Sequence, residues 1–152
     1  MKRLFLLMIV ASLFSLSSKA QEESGSAYKT ALGVRLGSSV PAIKSGVTLK
    51  HFFGNNAVEA ILSFGDGTAL CGLYEIHKPL GMSSLQWFIG AGGYVGFSSG
   101  TNNFGAAGIV GLDYKVASLP LNLSLDWKPE LNLVSKVGFE ASGVGFSARF
   151  TF

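Results

Sequence analysis

Cysteine is nearly absent. Cys71 is the only one in 152 residues, which excludes an internal disulfide and a cysteine-based metal site. Charge is also scarce. Asp, Glu, Lys and Arg together make up 14% of the chain, well below the roughly 25–35% carried by the surface of a water-soluble domain. Long apolar runs are missing too. The longest, Leu4 to Phe14, covers about eleven residues and is too short to cross a bilayer as a helix. No stretch sustains a 3.6-residue hydrophobic period, so an α-helical domain is excluded.

That apolar run follows the basic start Met1-Lys2-Arg3 and leads to Ser18-Lys19-Ala20, with small residues where a signal peptidase cuts. The layout predicts a secretory leader over Met1–Ala20. No cysteine stands at the cut to make it a lipoprotein leader. The formal net charge of +3 then disappears. Lys2, Arg3 and Lys19 leave with the leader, and nine basic residues face nine acidic ones. No basic patch remains to hold nucleic acid. Gln21–Ala27 reads as a flexible periplasmic lead-in, and Tyr28–Phe152 as one domain.

What the mature chain does have is alternation with period two. Leu32, Val34 and Leu36 alternate with Ala31, Gly33 and Arg35, and Val47 and Leu49 with Thr48 and Lys50. The Gly54-Asn55-Asn56 turn signal leads to Val58, Ala60, Leu62 and Phe64 against Glu59 and Ser63. Further strands are predicted over Thr68–His77, Leu85–Phe97 and Ala106–Val116. Lys78-Pro79-Leu80-Gly81 is read as a break and Ser98–Asn103 as a polar loop. In the cleanest segment, Leu121, Leu123, Leu125 and Trp127 alternate with Asn122, Ser124, Asp126 and Lys128, and Pro129 is expected to end it. The last strand is Val137–Phe152. Eight strands of about 9–11 residues suit the available length.

Such strands close either into a soluble barrel with an apolar inside or into a membrane barrel with an apolar outside. The polar faces are mostly Gly, Ser, Ala and Thr, with about one charge per strand, which is thin for a water-facing exterior. The expected fold is therefore all-β: an eight-stranded antiparallel, up-and-down transmembrane barrel. Arg35, Lys50, Lys115, Lys128 and Arg149, with Lys29, are expected to meet Glu59, Glu75, Asp113 and Asp126 inside. His77 joins this lumen network, because enclosed charges must be paired. Tyr28, Phe53, Tyr74, Trp87, Tyr114, Phe150 and Phe152 are expected at the periplasmic rim. Phe64, Phe97, Phe104, Trp127 and Phe146 are expected at the other, as two aromatic belts.

The ending Gly145-Phe-Ser-Ala-Arg-Phe-Thr-Phe152 resembles the C-terminal assembly signal of bacterial outer-membrane proteins. The resemblance implies that the barrel-assembly machinery recognises Phe146, Phe150 and Phe152. Gly33-Val-Arg-Leu-Gly37, Leu73-Tyr-Glu-Ile-His-Lys-Pro79, Gly90-Ala-Gly-Gly-Tyr-Val-Gly96 and Leu121-Asn-Leu-Ser-Leu-Asp-Trp-Lys-Pro129 carry a wider likeness. Through them the chain is similar to the small eight-stranded outer-membrane barrel proteins of the Bacteroidetes, of the OmpX and OmpA barrel type. That likeness implies an outer-membrane location and little about activity.

Catalytic signals are weak. The Gly90–Gly96 run misses the dinucleotide fingerprint by one residue and has no following helix; glycines on a curved strand explain it better. Some eight-stranded barrels modify lipid A, but neither His77 nor the lipid-facing His51 has a nucleophile placed beside it. Cys71 reads as a small buried side chain. The expectation is a monomeric, non-enzymatic structural or surface-interaction protein without cofactor, in contact with outer-membrane lipid and lipopolysaccharide. A narrow pore is the alternative, and a lipid A acyl hydrolase or transferase the third reading.

Overall fold

A computed structural model describes residues 28–38, 42–82, 84–134 and 136–152. The expected leader and lead-in over residues 1–27 lie outside the described residues. Ten strands follow one another: β1 (Thr30–Gly37), β2 (Ser45–Phe53), β3 (Asn56–Phe64), β4 (Gly67–Met82), β5 (Leu85–Ser98), β6 (Thr101–Lys115), β7 (Leu121–Trp127), β8 (Glu130–Asn132), β9 (Gly138–Glu140) and β10 (Val144–Thr151). Every pairing is antiparallel, and sequence neighbours pair from β1 to β7. β10 lies between β7 and β1, so the sheet closes on itself. At the seam, the backbone N–H of Thr30 donates to the carbonyl of Phe152, and that of Phe152 to the carbonyl of Thr30. Closure removes the sheet edge.

Ten strands make eight staves. β7 and β8 both pair with β6, and β9 and β10 continue each other as the partners of β8 and β7. Pro129 was expected to end the seventh strand; instead it only interrupts it. Its carbonyl still accepts from the N–H of Gly108, while the N–H of Lys128 bonds to Gly143. A single missing donor at an irregular point does not unzip a strand held on both sides.

Two other expected breaks are also bridged. β4 passes through Lys78-Pro79 and keeps pairing with β5, with a register irregularity between Pro79 and Met82. The polar loop expected at Ser98–Asn103 contracts to a tight turn, because Ser98 pairs with Thr101. Gly100 makes that turn with φ of 82°, a conformation costly for residues with a Cβ.

Alternation decides which face of each stave is buried. In β3, Ala57, Glu59, Ile61 and Ser63 are buried while Val58, Leu62 and Phe64 are exposed. In β10, Ser147 and Arg149 are buried while Phe146 and Phe150 are exposed. The interior has two zones. Ile43, Ile61, Cys71, Leu73, Phe88, Tyr94 and Ile109, contributed by β3 to β6 and the segment before β2, form an apolar cluster. The remaining space holds ions.

Candidate functional site

The ionic zone is built from one or two inward side chains per stave. Lys50 sits in its middle. Its Nζ lies 2.8 Å from the Glu75 carboxylate and 3.5 Å from both Glu59 and Asp113. It also lies 4.3 Å from the centre of the Phe88 ring, a cation–π contact made in a desolvated setting. Lys50 and Glu59 are direct cross-strand neighbours, so strand register alone brings them together. Arg149 donates to Glu59, to Asn122 at 3.1 Å, to Ser124 at 2.7 Å and to Thr48 at 3.2 Å. The Asn122 amide passes the connection on to Asp113 at 2.6 Å.

Arg35 and Asp126 form a separate two-point pair at 2.5 and 2.7 Å. The planar guanidinium fork suits a carboxylate in this geometry. It lies across Gly145, where a Cβ would overlap the guanidinium itself. Nearer the loops, Lys128 donates to Glu130. The Glu130 carboxylate also accepts from the backbone N–H groups of Ala42 at 2.8 Å and Ile43 at 3.2 Å, fixing that segment inside the mouth.

His77 is held between aromatic rings. It stacks on Phe88 at 4.9 Å and meets the edge of Phe52 at 4.7 Å, with Nε2 2.8 Å from Glu75. Among the described residues no nucleophilic side chain is bonded to it. Among the described residues no group of three His, Cys, Asp or Glu side chains converges to hold a metal. Cys71 is buried in the apolar cluster.

Of the residues named from sequence, Arg35, Lys50, Glu59, Glu75, His77, Asp113, Asp126, Lys128 and Arg149 are all buried inside the barrel. Three placements are corrected. Lys115 does not enter the network: its Nζ donates to the carbonyls of Val116 and Leu119, capping the turn after β6. Lys29 precedes β1 and is exposed. Tyr28 was expected in the outer belt but turns inward, donating to Asp113 at 3.2 Å and packing edge-on against Phe52. It lies before β1 begins, so strand alternation does not govern it. Glu130 was missed, because Pro129 was read as a strand end. Neither family models, nor curated proteins, nor solved structures match this chain.

Beyond the apolar cluster, at the end opposite the termini, the barrel mouth widens into a cavity of about 350 Å³. Lys44 and Asp66 pair across its rim at 2.6 Å. This ammonium holds the Asp66 carboxyl below its ordinary range. Glu130 and Tyr94 also line the cavity.

Proposed function

We propose that the chain is an integral outer-membrane barrel with a sealed lumen, serving a structural or surface-interaction role rather than a catalytic one. One observation carries the reading: the sidedness of the wall. Val34, Leu36, Val47, Leu49, Leu70, Ile89, Leu112 and Leu125 are exposed on the outside, while Arg35, Lys50, Glu59, Glu75 and Arg149 are buried within. Water rewards the opposite arrangement, and a hydrocarbon solvent rewards this one.

Aromatic side chains flank the apolar band. Phe53, Tyr74, Tyr114 and Phe150 are exposed toward the end bearing the termini, and Phe64, Phe97, Phe104, Trp127 and Phe146 toward the other. Such girdles mark the two interfaces of membrane barrels. The surrounding partners of the proposal are outer-membrane lipid and lipopolysaccharide. The exposed Phe146 and Phe150, with Phe152 at the closing seam, are the contacts proposed for the assembly machinery.

The lumen favours a plug over a pore. Lys50, Glu59, Glu75, Asn122 and Lys128 have 0% of their surface within reach of a water-sized sphere, so water has no path past them at that level. The test is expression of the full chain with its leader in a Gram-negative host. The protein should stay with membranes through a carbonate wash, require detergent for release and migrate faster unheated than boiled. A form that remains folded in the periplasmic extract without detergent overturns the membrane reading. Stepwise conductance in a planar bilayer overturns the sealed lumen.

A further inference from the structure

We propose that the lumen network is a proton-binding site: one proton is held on Glu75, against Glu59, and the seal depends on it. A count of charge points there. Among the described residues, Arg35 is balanced by Asp126 and Lys128 by Glu130. The other buried cations, Lys50 and Arg149, face three buried carboxyls, Glu59, Glu75 and Asp113. Three against two leaves one negative charge over. Lys115 does not meet it, because its Nζ is taken by two turn carbonyls, and Lys29 is exposed.

An unmatched charge enclosed away from water is neutralised by a proton. Geometry selects the carboxyl. Glu59 accepts from Arg149 and from the Thr48 hydroxyl. Asp113 accepts from the Asn122 amide and from Tyr28. Glu75 has neither an arginine nor a hydroxyl. It meets Lys50 and His77 through Oε2, and its Oε1 is buried with no hydrogen-bond partner among the described residues. Glu59 and Glu75 are diagonal neighbours on β3 and β4, with their side chains in hydrogen-bonding reach of each other. Two ionised carboxylates have no hydrogen to share and repel one another. A proton on Glu75 supplies the missing donor and leaves two cations against two anions.

The remaining groups around Glu75 fit this assignment. Lys50 keeps Glu59 and Asp113 as ionised partners, each at 3.5 Å. Arg149 is turned to Glu59, and β5 brings no ionised side chain. His77 stacks on Phe88, the ring that already carries the Lys50 ammonium. An imidazolium there would be a second cation crowded against the first, so the proton belongs on the carboxyl.

The inference rests on the enclosure of these groups and not on the membrane assignment, so the two fail separately. The full chain, in detergent micelles or in buffer if it stays soluble without them, is unfolded in urea between about pH 7 and 8.5. In that window an unfolded glutamate is ionised and an unfolded histidine largely neutral. The folded parent then binds one proton that the unfolded chain does not, so stability falls as pH rises. The unfolding constant of the parent should climb roughly tenfold per pH unit relative to that of Glu75→Gln. Glutamine mimics the protonated acid, so the variant should be at least as stable as the parent at about pH 7 and gain on it above. Infrared spectra of the folded parent should show a protonated carboxyl that Glu75→Gln lacks. Glu59→Gln removes the carboxylate of Arg149 and should unfold more readily than Glu75→Gln. The proposal is overturned if Glu75→Gln fails to fold or is less stable than the parent, or if the two share one pH dependence. It is equally overturned if the parent shows no protonated carboxyl, or if His77→Gln rather than Glu75→Gln removes the pH dependence.

Discussion

Removing Arg35 tests whether the ions are inside. The side chains of Arg35 and Asp126 are each 1% exposed. Arg35→Ala strands a carboxylate in the lumen, and Asp126→Ala strands a guanidinium. Breaking a buried pair from one side costs about 3–5 kcal/mol, whereas replacing both partners by apolar groups of similar volume is often close to neutral. For a urea slope near 2 kcal/mol/M, each single change lowers the unfolding midpoint by roughly 1.5–2.5 M. Arg35→Met with Asp126→Leu should recover most of that loss. The assay is equilibrium unfolding in lipid vesicles, followed by tryptophan fluorescence and by migration of the folded band. If the pair faced water, each single change would cost about 0–1 kcal/mol and the two would simply add. Additive, sub-kilocalorie losses would refute the inward placement of charge, and the membrane reading with it.

Other consequences follow from the same geometry. Gly145→Ala drives a methyl into the Arg35 guanidinium and should cost about 1–3 kcal/mol in the same unfolding assay; a neutral result means the fork does not lie there. Val34→Arg, on the exposed face of β1 and paired with Ala148 midway between the Phe146 and Phe150 belts, should cost about 2–4 kcal/mol in a bilayer, and a loss below 1 kcal/mol would show that the face is wet. Cys71, at 0% exposure, should resist a maleimide reagent in the folded barrel and react once urea unfolds it; prompt labelling of the native protein contradicts its place in the plug. Phe152→Ala should reduce the fraction of chain reaching the folded, heat-shifted form in cells while leaving refolding from urea unchanged, because its proposed role is recognition during assembly.

The wall was legible because period-two alternation is a local property, and a one-residue reading assigns both faces of a strand. Leu121 to Trp127 shows this most clearly, with Leu125 and Trp127 exposed and Asn122, Ser124 and Asp126 buried. The breaks were misread because Pro and Gly weaken a strand only in isolation. Pro79 and Pro129 sit in or beside strands whose neighbours hold the register. Which charges pair was legible only in part. Lys50 and Glu59 are cross-strand partners and follow from hairpin register, but Arg149 reaches Glu59 across the lumen, a contact fixed by barrel closure rather than by sequence distance. The apolar plug was hidden for another reason. Ile61, Leu73 and Phe88 occupy inward positions among polar ones, and an alternation count treats them as faults in the pattern.

Those faults explain how the register is set. Because side chains alternate with a period of two, a one-residue slip turns a whole stave inside out. Most staves carry an inward ion: Arg35, Lys50, Glu59, Glu75, Asp113, Asp126 and Arg149 lie on β1, β2, β3, β4, β6, β7 and β10. In the proposed membrane setting, slipping any of these would place a charge against lipid at a cost of about 2–4 kcal/mol near the midplane, and in any setting it would leave its partners unpaired. β5 has no ionised side chain anywhere in Leu85–Ser98, so this penalty does not protect it. Its register depends instead on bulk. Phe88 and Tyr94 are buried, stacked on His77 and seated over Gly105 respectively, while Ile89 and Phe97 are exposed. A slipped β5 would turn both inward rings out to the wall and leave His77 and Lys50 without the Phe88 face. The apolar plug therefore does for β5 what paired charges do for its neighbours, which is why the interior needs both.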